Sequence, residues 1–458
     1  MAFNFDLTSE KLKIRLSHQL GNQFTAFETA MAQASPVSIR LNPRKASAQY
    51  VDNEKVKWCP HGRYLKSRPN FTLDPLFHAG TYYVQEASSM FTYYLVNQLL
   101  DLSKNLRVLD LCAAPGGKTS LLQSIITEDS LLVANEIITG RNKILRQNMT
   151  RWGGDNQIVT QSDPKSFHKL PGFFDLILVD APCSGEGLLR KDPAAIDHWS
   201  EKNVLSCAKR QRKILSDVLP SLSPGGILLY STCTFSDEEN ESNMNWLENN
   251  NDLIQMKPEI PDSWGIKYQN TGPGYRFYPH NLKGEGFYIA AYRKLSETGI
   301  NRPRRKSTVQ SLRYEKSNSE DAFWLKSPQR YSFLTRNQHR IAIPNSLIDD
   351  YHTITSNLRV TASGLNMGKI YHGKLKPSPE LALSQGLSPT IPTMILDQDH
   401  ALDYLAHIGF GYDSALSKGR YLVNYDGHGL GWINILQNGQ VRNNYPSAWR
   451  ILYRKPEK

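Results

Sequence analysis

LRVLDLCAAPGGKTSLL, residues 106–122, passes from a run of apolar, strand-forming residues through the pair Gly116 and Gly117 into a segment of helix formers. A strand that turns directly into a helix at such a pair opens a βαβ unit, and in open parallel sheets ligands bind in the crevice above the turn. The same pattern continues outward. SLLVANE (130–136), NQIVTQSD (156–163), FDLILVDAP (174–182) and GGILLYSTC (225–233) are short apolar runs, with helical stretches at 118–127 and 140–152 between the first of them. This alternation predicts a doubly wound, parallel α/β sheet that closes with GEGFYIAAYRK (284–294).

The flanks read differently. Residues 1–100 lack the alternation and predict an accessory lobe with an amphipathic first helix, the segment PVSIRLNPRK (36–45) and a helix around 85–100. Residues 101–295 form the expected core. SETGINRPRRKSTVQSLRYEKSNS (296–319) is poor in apolar residues and reads as a basic linker. Beyond it, residues 320–458 hold short β-like runs such as RYLVNYDGHGLGWINIL (420–436), punctuated by Gly and Asn turns.

A chain of 458 residues exceeds what one hydrophobic core organises, in keeping with several domains. Lys and Arg outnumber Asp and Glu by 54 to 43, a net charge of +11 that suits a polyanionic partner. The five cysteines, Cys59, Cys112, Cys183, Cys207 and Cys233, are odd in number, with no CxxC pair and no zinc-ligand spacing, so neither a disulfide framework nor a metal site is expected. The first residues, MAFNFDLTSEKLKIRL, lack a continuous apolar stretch, and no run of 18 apolar residues occurs in the chain. The expectation is a cytoplasmic protein with reduced thiols and no membrane contact.

The glycine turn has neither GxGxxG nor GxxxxGK[ST] spacing, which disfavours a dinucleotide dehydrogenase and an NTPase. Its glycines still let the backbone approach a ligand, and the amides opening the next helix can face a carboxylate such as that of methionine. Glu136 closes the second strand, where an acid commonly takes the ribose hydroxyls of an adenosine cofactor. Asp163 and Asp180 end the third and fourth strands, so three consecutive strands finish in a carboxylate at one edge. Cys183 and Cys233 sit in Gly-, Ser- or Thr-rich turns at that same edge, as reactive cysteines would, although residue type and position do not rank the two. Cys59 and Cys207 occupy no such turn and read as packing residues.

CAAPGGKT (112–119), DAPCSGEG (180–187) and STCT (231–234), in this order, resemble the signatures of the NOL1/NOP2/Sun RNA cytosine-5 methyltransferases. Across residues 106–294, with GEGLLRKDP (185–193) and GEGFYIAAYRK, the chain is most similar to the bacterial RsmF-type 16S ribosomal RNA methyltransferases, and GLGWINILQNGQVRNNYPSAWR (429–450) resembles their PUA-like domain. The resemblance implies a Rossmann-like class I methyltransferase core, an N-terminal accessory lobe and a mixed, β-rich PUA-like module at about 390–458. It implies S-adenosyl-L-methionine as cofactor and RNA, 16S ribosomal RNA or the 30S subunit, as partner, with no obligate protein partner. It further implies that Cys112, Ala113, Ala114, Pro115, Gly116, Gly117 and Lys118 surround the cofactor, that Glu136 takes the ribose and Asp163 the adenine, and that Asp180 sits beside cofactor and target base. By the same resemblance Cys233 is the nucleophile, adding to cytosine carbon 6 to activate carbon 5, and Cys183 assists breakdown of the adduct.

Three other readings stand beside this one. A transfer RNA cytosine-5 methyltransferase shares the chemistry. A non-catalytic RNA-binding ribosome assembly factor is opposed by the two cysteines and the three strand-end acids. A DNA cytosine-5 methyltransferase is disfavoured by the second cysteine motif and the RNA-type C-terminal module. The segments WCPHGRYLKSRPNF (58–71) and GYRFYPHNLKG (274–284), and the run Arg302, Arg304, Arg305 and Lys306, interleave charge or rings as RNA contacts do.

Overall fold

The computed structural model describes residues 10–250, 252–268, 272–295, 314–411 and 416–452. Within them the strands Arg107–Asp110 (β1), Leu131–Asn135 (β2), Gln157–Thr160 (β3), Phe174–Asp180 (β4) and Leu222–Thr232 (β5) run parallel, and Phe287–Lys294 (β6) lies antiparallel beside β5. Across the sheet the order is β3-β2-β1-β4-β5-β6. The order reverses between β1 and β4, which opens a crevice above their C-terminal ends. Helices Gly117–Ile125 (α1), Thr139–Trp152 (α2) and Glu201–Val218 (α3) provide crossovers. The central strands are apolar along their length because layers cover both faces: Val108, Leu132, Leu176 and Leu178 pack into one core, and Leu109, Val133, Ile177 and Val179 into the other.

The sheet extends further than its apolar runs predict. Tyr275–Phe277 and Lys267–Tyr268 continue it past β6, and at the opposite edge Val360–Ser363 (β7), from the far side of the linker, pairs antiparallel with β3. The four residues of β7 are all half-buried and carry no apolar period, so nothing in their pattern separates them from a loop. Tertiary contacts pin the strand: Gln161 N donates to Arg359 O at 2.8 Å, Gly364 N to Gln157 O at 3.0 Å, and Arg107 pairs with Asp350 at 2.8 Å.

The N-terminal lobe has the helices Glu10–Leu20 and Phe24–Met31, a four-stranded sheet including Val37–Leu41 and Cys59–Leu65, and the helix Phe91–Leu99. Beyond residue 314 lie two further four-stranded sheets, one built on Tyr331–Arg336, His339–Pro344, Leu365–Tyr371 and Lys374–Pro377. The other holds Gly419–Tyr425 and His428–Ile435, joined by Asp426 and Gly427 at φ 48° and 80°, the left-handed pair that a two-residue hairpin of right-handed twist requires. Of the basic stretch 296–319, residues 296–313 lie outside the described residues, and with them Arg302, Arg304, Arg305 and Lys306. Its end is tied to the fold, since Glu315 pairs with Phe333 and Asn318 caps the helix Ser319–Trp324. Among the described residues no helix is long and apolar enough to cross a membrane.

Candidate active site

The chain leaves β1 at Asp110, turns through residues 111–116 with a cis Ala114–Pro115 bond, and enters α1 at Gly117. Gly116 stands at φ +114°, where a side chain is strained, and a Cβ there would come within 3.3 Å of Leu145. Neighbouring strands hold the loop. Ala113 N donates to Asn135 O at 2.9 Å, and Arg141 to Ala114 O at 2.7 Å. Thr119 Oγ1 donates to Asp110 Oδ2 at 2.7 Å. Above the loop lies a cavity of about 680 Å³, and every expected site residue except Gly116 lines it. Gly116 faces Leu145, Asn148 and Met149 of α2 instead.

The acids differ in how far they are already engaged. Glu136 is buried, accepts Ile138 N at 2.9 Å and pairs with Arg141 at 3.5 Å. Asp163 is exposed and accepts Lys165 N at 2.9 Å, capping its own turn. Asp110 was not anticipated. It is buried, its Oδ1 has no hydrogen-bond partner among the described residues, and burial, with Asp180 and Glu136 nearby, pushes its carboxyl up to about 7. An unpartnered carboxyl oxygen on the wall, acids around it and the exposed side chains of Ile137 and Ile138 at the rim fit a cationic ligand carrying hydroxyls and a flat ring.

Cys183 follows β4 and Cys233 follows β5, and because these strands are parallel neighbours in the register Asp180↔Ser231 their end loops lie side by side. Their sulfurs are 3.2 Å apart. Gly187 N donates to Cys233 O at 2.9 Å, and the hydroxyls of Ser184 and Thr234 bond at 2.9 Å, so each loop braces the other. The hydrogen bond with Cys233, and then burial, push the Cys183 thiol well up, which keeps its proton on. Burial likewise raises Cys112, so this thiol, though on the cavity wall, is a poor nucleophile. Asp180 accepts from Ser231 Oγ at 2.7 Å and pairs with Lys118 Nζ at 2.9 Å. Burial alone would lower Lys118, but Asp180, Cys233 and Asp110 outweigh it and the ammonium is held more firmly than usual.

Two carboxylates that the motifs did not single out support the cysteine loops from behind. Glu239 is buried and accepts Ser184 N at 3.0 Å and Gln211 Nε2 at 2.7 Å, while Gln211 also donates to Pro182 O at 3.0 Å. Burial raises its carboxyl, and these hydrogen bonds restrain the rise. Glu186, inside DAPCSGEG itself, accepts Trp199 Nε1 at 2.8 Å and Phe235 N at 3.2 Å and is ion-paired with Arg15 of the first helix. In sequence, a Glu among glycines reads as a solvated charge.

Other expected contacts turn inward. Trp58, Tyr64 and Arg63 are buried, with Trp58 Nε1 donating to Ala87 O at 2.7 Å and Arg63 to the carbonyls of Val51, Pro60 and Gly62. Tyr275, Arg276 and Phe277 are buried too, with Arg276 clamped by Glu241 and Asp237. These buried rings and guanidinium groups therefore serve packing, while Lys66, Arg68 and Lys283 of the same segments stay exposed. Cys59 and Cys207 are buried away from the cavity.

Residues 97–293 match the family described as 16S rRNA methyltransferase RsmB/F, residues 10–87 the N-terminal domain of 16S rRNA methyltransferase RsmF, and residues 392–451 the methyltransferase RsmF PUA domain. The ribosomal RNA small subunit methyltransferase F of Shewanella loihica is 30% identical over 438 residues, which cover 89% of this chain and 88% of that protein. The protein of the same description from Vibrio vulnificus is 30% identical over 468 residues, covering 94% and 96%. A solved methyltransferase homolog protein from Pyrococcus horikoshii matches at TM-score 0.54 and 30% identity over 63% of this chain and 95% of that one. NSun6 from the same organism, solved with SFG, shares the fold at TM-score 0.54 and 20% identity, over 63% of this chain and 99% of that one.

Proposed function

We propose, because this chain belongs to the S-adenosylmethionine-dependent 16S rRNA methyltransferase RsmF family, that it methylates carbon 5 of a cytosine in 16S ribosomal RNA through a covalent bond between Cys233 and carbon 6 of that base. The observation that carries the reading is the pair of thiols 3.2 Å apart at one end of a cavity whose other walls are the glycine loop and the strand-end acids.

S-adenosylmethionine supplies an electrophilic methyl on a cationic sulfur, and the cavity residues suit it. Cys112, Ala113, Ala114, Pro115, Gly117 and Lys118 of the loop would receive its amino-acid end, with Gly116 turning the chain behind them, Glu136 would take its ribose and Asp163 its adenine, and Asp110 would add the unpartnered oxygen on the wall. The target nucleotide must leave its stack to reach Cys233, which favours a loop or an unstacked region of the RNA. The Cys233 thiolate would add to carbon 6, and the electron pair displaced to carbon 5 would take the methyl group as its bond to the cofactor's cationic sulfur breaks and leaves the bonding pair on that sulfur, now neutral. Carbon 5 then holds both a methyl group and its original proton. A base removes that proton, the carbon 6–sulfur bond breaks, and Cys233 departs with the bonding pair. Cys183, protonated and beside this sulfur, assists the departure. Asp180, oriented by Lys118 and Ser231, faces the space beside Cys233 and serves the base and the cofactor.

The test is a trap. RNA containing 5-fluorocytosine cannot lose its carbon 5 substituent, so the adduct accumulates. With naked 16S ribosomal RNA, 30S subunits and transfer RNA as separate substrates, the expected result is a denaturation-resistant protein–RNA adduct on a 16S substrate that disappears only in Cys233→Ala. Loss only in Cys183→Ala would exchange the two roles, an adduct confined to transfer RNA would move the substrate, and no adduct with any RNA would favour a binding factor.

A further inference from the structure

We infer that a second groove, across helix α2 from the active-site cavity, is a binding track for the phosphate backbone of the substrate RNA; the inference rests on the reading above that this substrate is RNA. The groove, about 750 Å³, is walled by α2, by β7 and by residues of both C-terminal sheets' units, from Arg336 to Trp449. Helix α2 serves both spaces. Arg141 lines the first cavity, while Lys143 and Arg146 line the second. At 1.5 Å and 100° per residue, Arg141 and Arg146 are separated by about 8 Å along the axis and about 140° around it, so one helix presents a cation to each space.

Three cations gather on the walls of this groove. Arg15, Arg107, Arg190, Arg276, Arg330 and Arg340 each face a carboxylate. Lys143, Arg146 and Arg336 are exposed on the groove and meet no carboxylate among the described residues. His339 adds a ring, bonded through Nδ1 to Asn366 at 3.3 Å. Glu380 is the one acid among the described lining residues. Three cations around a concave wall repel one another, and an anion laid between them relieves that repulsion. Partly exposed Trp449 offers a ring on which an unstacked base can rest. A polyanion with bases, held by a helix that also lines the methyl-transfer cavity, matches the track better than a small anion, which needs neither the length nor the ring.

The test compares the full-length protein with a Lys143→Gln, Arg146→Gln, Arg336→Gln variant, measuring affinity for unmodified 16S ribosomal RNA between about 50 and 200 mM salt. Three lost phosphate contacts lower the slope of log affinity against log salt by about 2, at roughly 0.7 per contact on a single strand. Affinity should fall at least tenfold at the low-salt end, with cofactor binding and thermal midpoint unchanged. If the triple variant unfolds, Lys143→Gln and Arg336→Gln singly carry the same test, each removing roughly 0.7 of slope. An unchanged slope and affinity overturn the track even where the wild type forms the 5-fluorocytosine adduct. A slope that falls as expected sustains the track even where no adduct forms, in which case the chemistry and not the groove has failed.

Discussion

The sulfurs of Cys183 and Cys233, 50 positions apart in the chain, lie 3.2 Å from each other because adjacent parallel strands deliver them to one sheet edge. The proton kept on Cys183 is thereby beside the sulfur that leaves the product in the proposed reaction. On RNA with ordinary cytosine, Cys183→Ala is expected to accumulate adduct and to turn over at least about 100-fold more slowly, the usual scale for a lost proton-transfer group. Cys233→Ala gives neither adduct nor product. A denaturing gel with labelled RNA reads both outcomes, and rapid turnover by Cys183→Ala would remove its role.

Asp110 makes stability depend on pH. Its carboxyl is raised in the fold from 3.8 to about 7, chiefly by burial, so its contribution is fully present below pH 3.8 and is lost as pH rises through 7. At 1.36 kcal/mol per unit, the loss is on the order of 4 kcal/mol. Asp110→Asn stays neutral throughout and keeps an oxygen for Thr119. Without cofactor, its advantage in thermal midpoint over the wild type should widen from pH 5 to pH 8; parallel curves would contradict the burial argument.

Lys118 and Asp180 should act as one unit. Their 2.9 Å pair is mostly shielded on the lysine side, and removing either partner leaves the other charged beside the cavity. Lys118→Met and Asp180→Asn are each expected to cost roughly 2 kcal/mol of transition-state stabilisation, and the double variant scarcely more, a coupling within the range for residues in contact. Additive losses in kcat/KM would mean that the two serve separate steps.

The pair of Arg15 with Glu186 ties the first helix to the cysteine loops. Glu186 is fully buried and Arg15 about a quarter exposed, so Arg15→Ala leaves a buried carboxylate with only its bonds from Trp199 and Phe235. The expected destabilisation is about 2–3 kcal/mol, below the full range for a wholly buried pair. Proteolysis at the first helix should quicken in parallel. An unchanged cleavage rate would show that the apolar contacts of Leu12 and Leu16 suffice to hold it.

Parallel strands covered on both faces must be apolar throughout, which is why β1, β2, β4 and β5 stood out as runs. The half-buried edge strand β7 carries no such constraint, and its place beside β3 rests on Gln161, Gln157 and their partners beyond residue 350. The strand-end cysteines and acids were visible because turn composition and strand phase are local properties. Arg63 and Arg276 were misread as surface cations because nothing near them in the chain shows the carbonyls and carboxylates that receive them.

Chain order alone settled which residue types stand at the C-terminal ends of the strands, since a strand's phase and the turn after it follow from neighbouring residues. It could not settle distances among them. That Cys183 and Cys233 touch, that Asp110 keeps an unpartnered oxygen, and that Glu239 braces Ser184 all depend on partners brought in by sheet pairing and by α3, and hydrogen bonds and burial exist only once those surfaces have closed on one another.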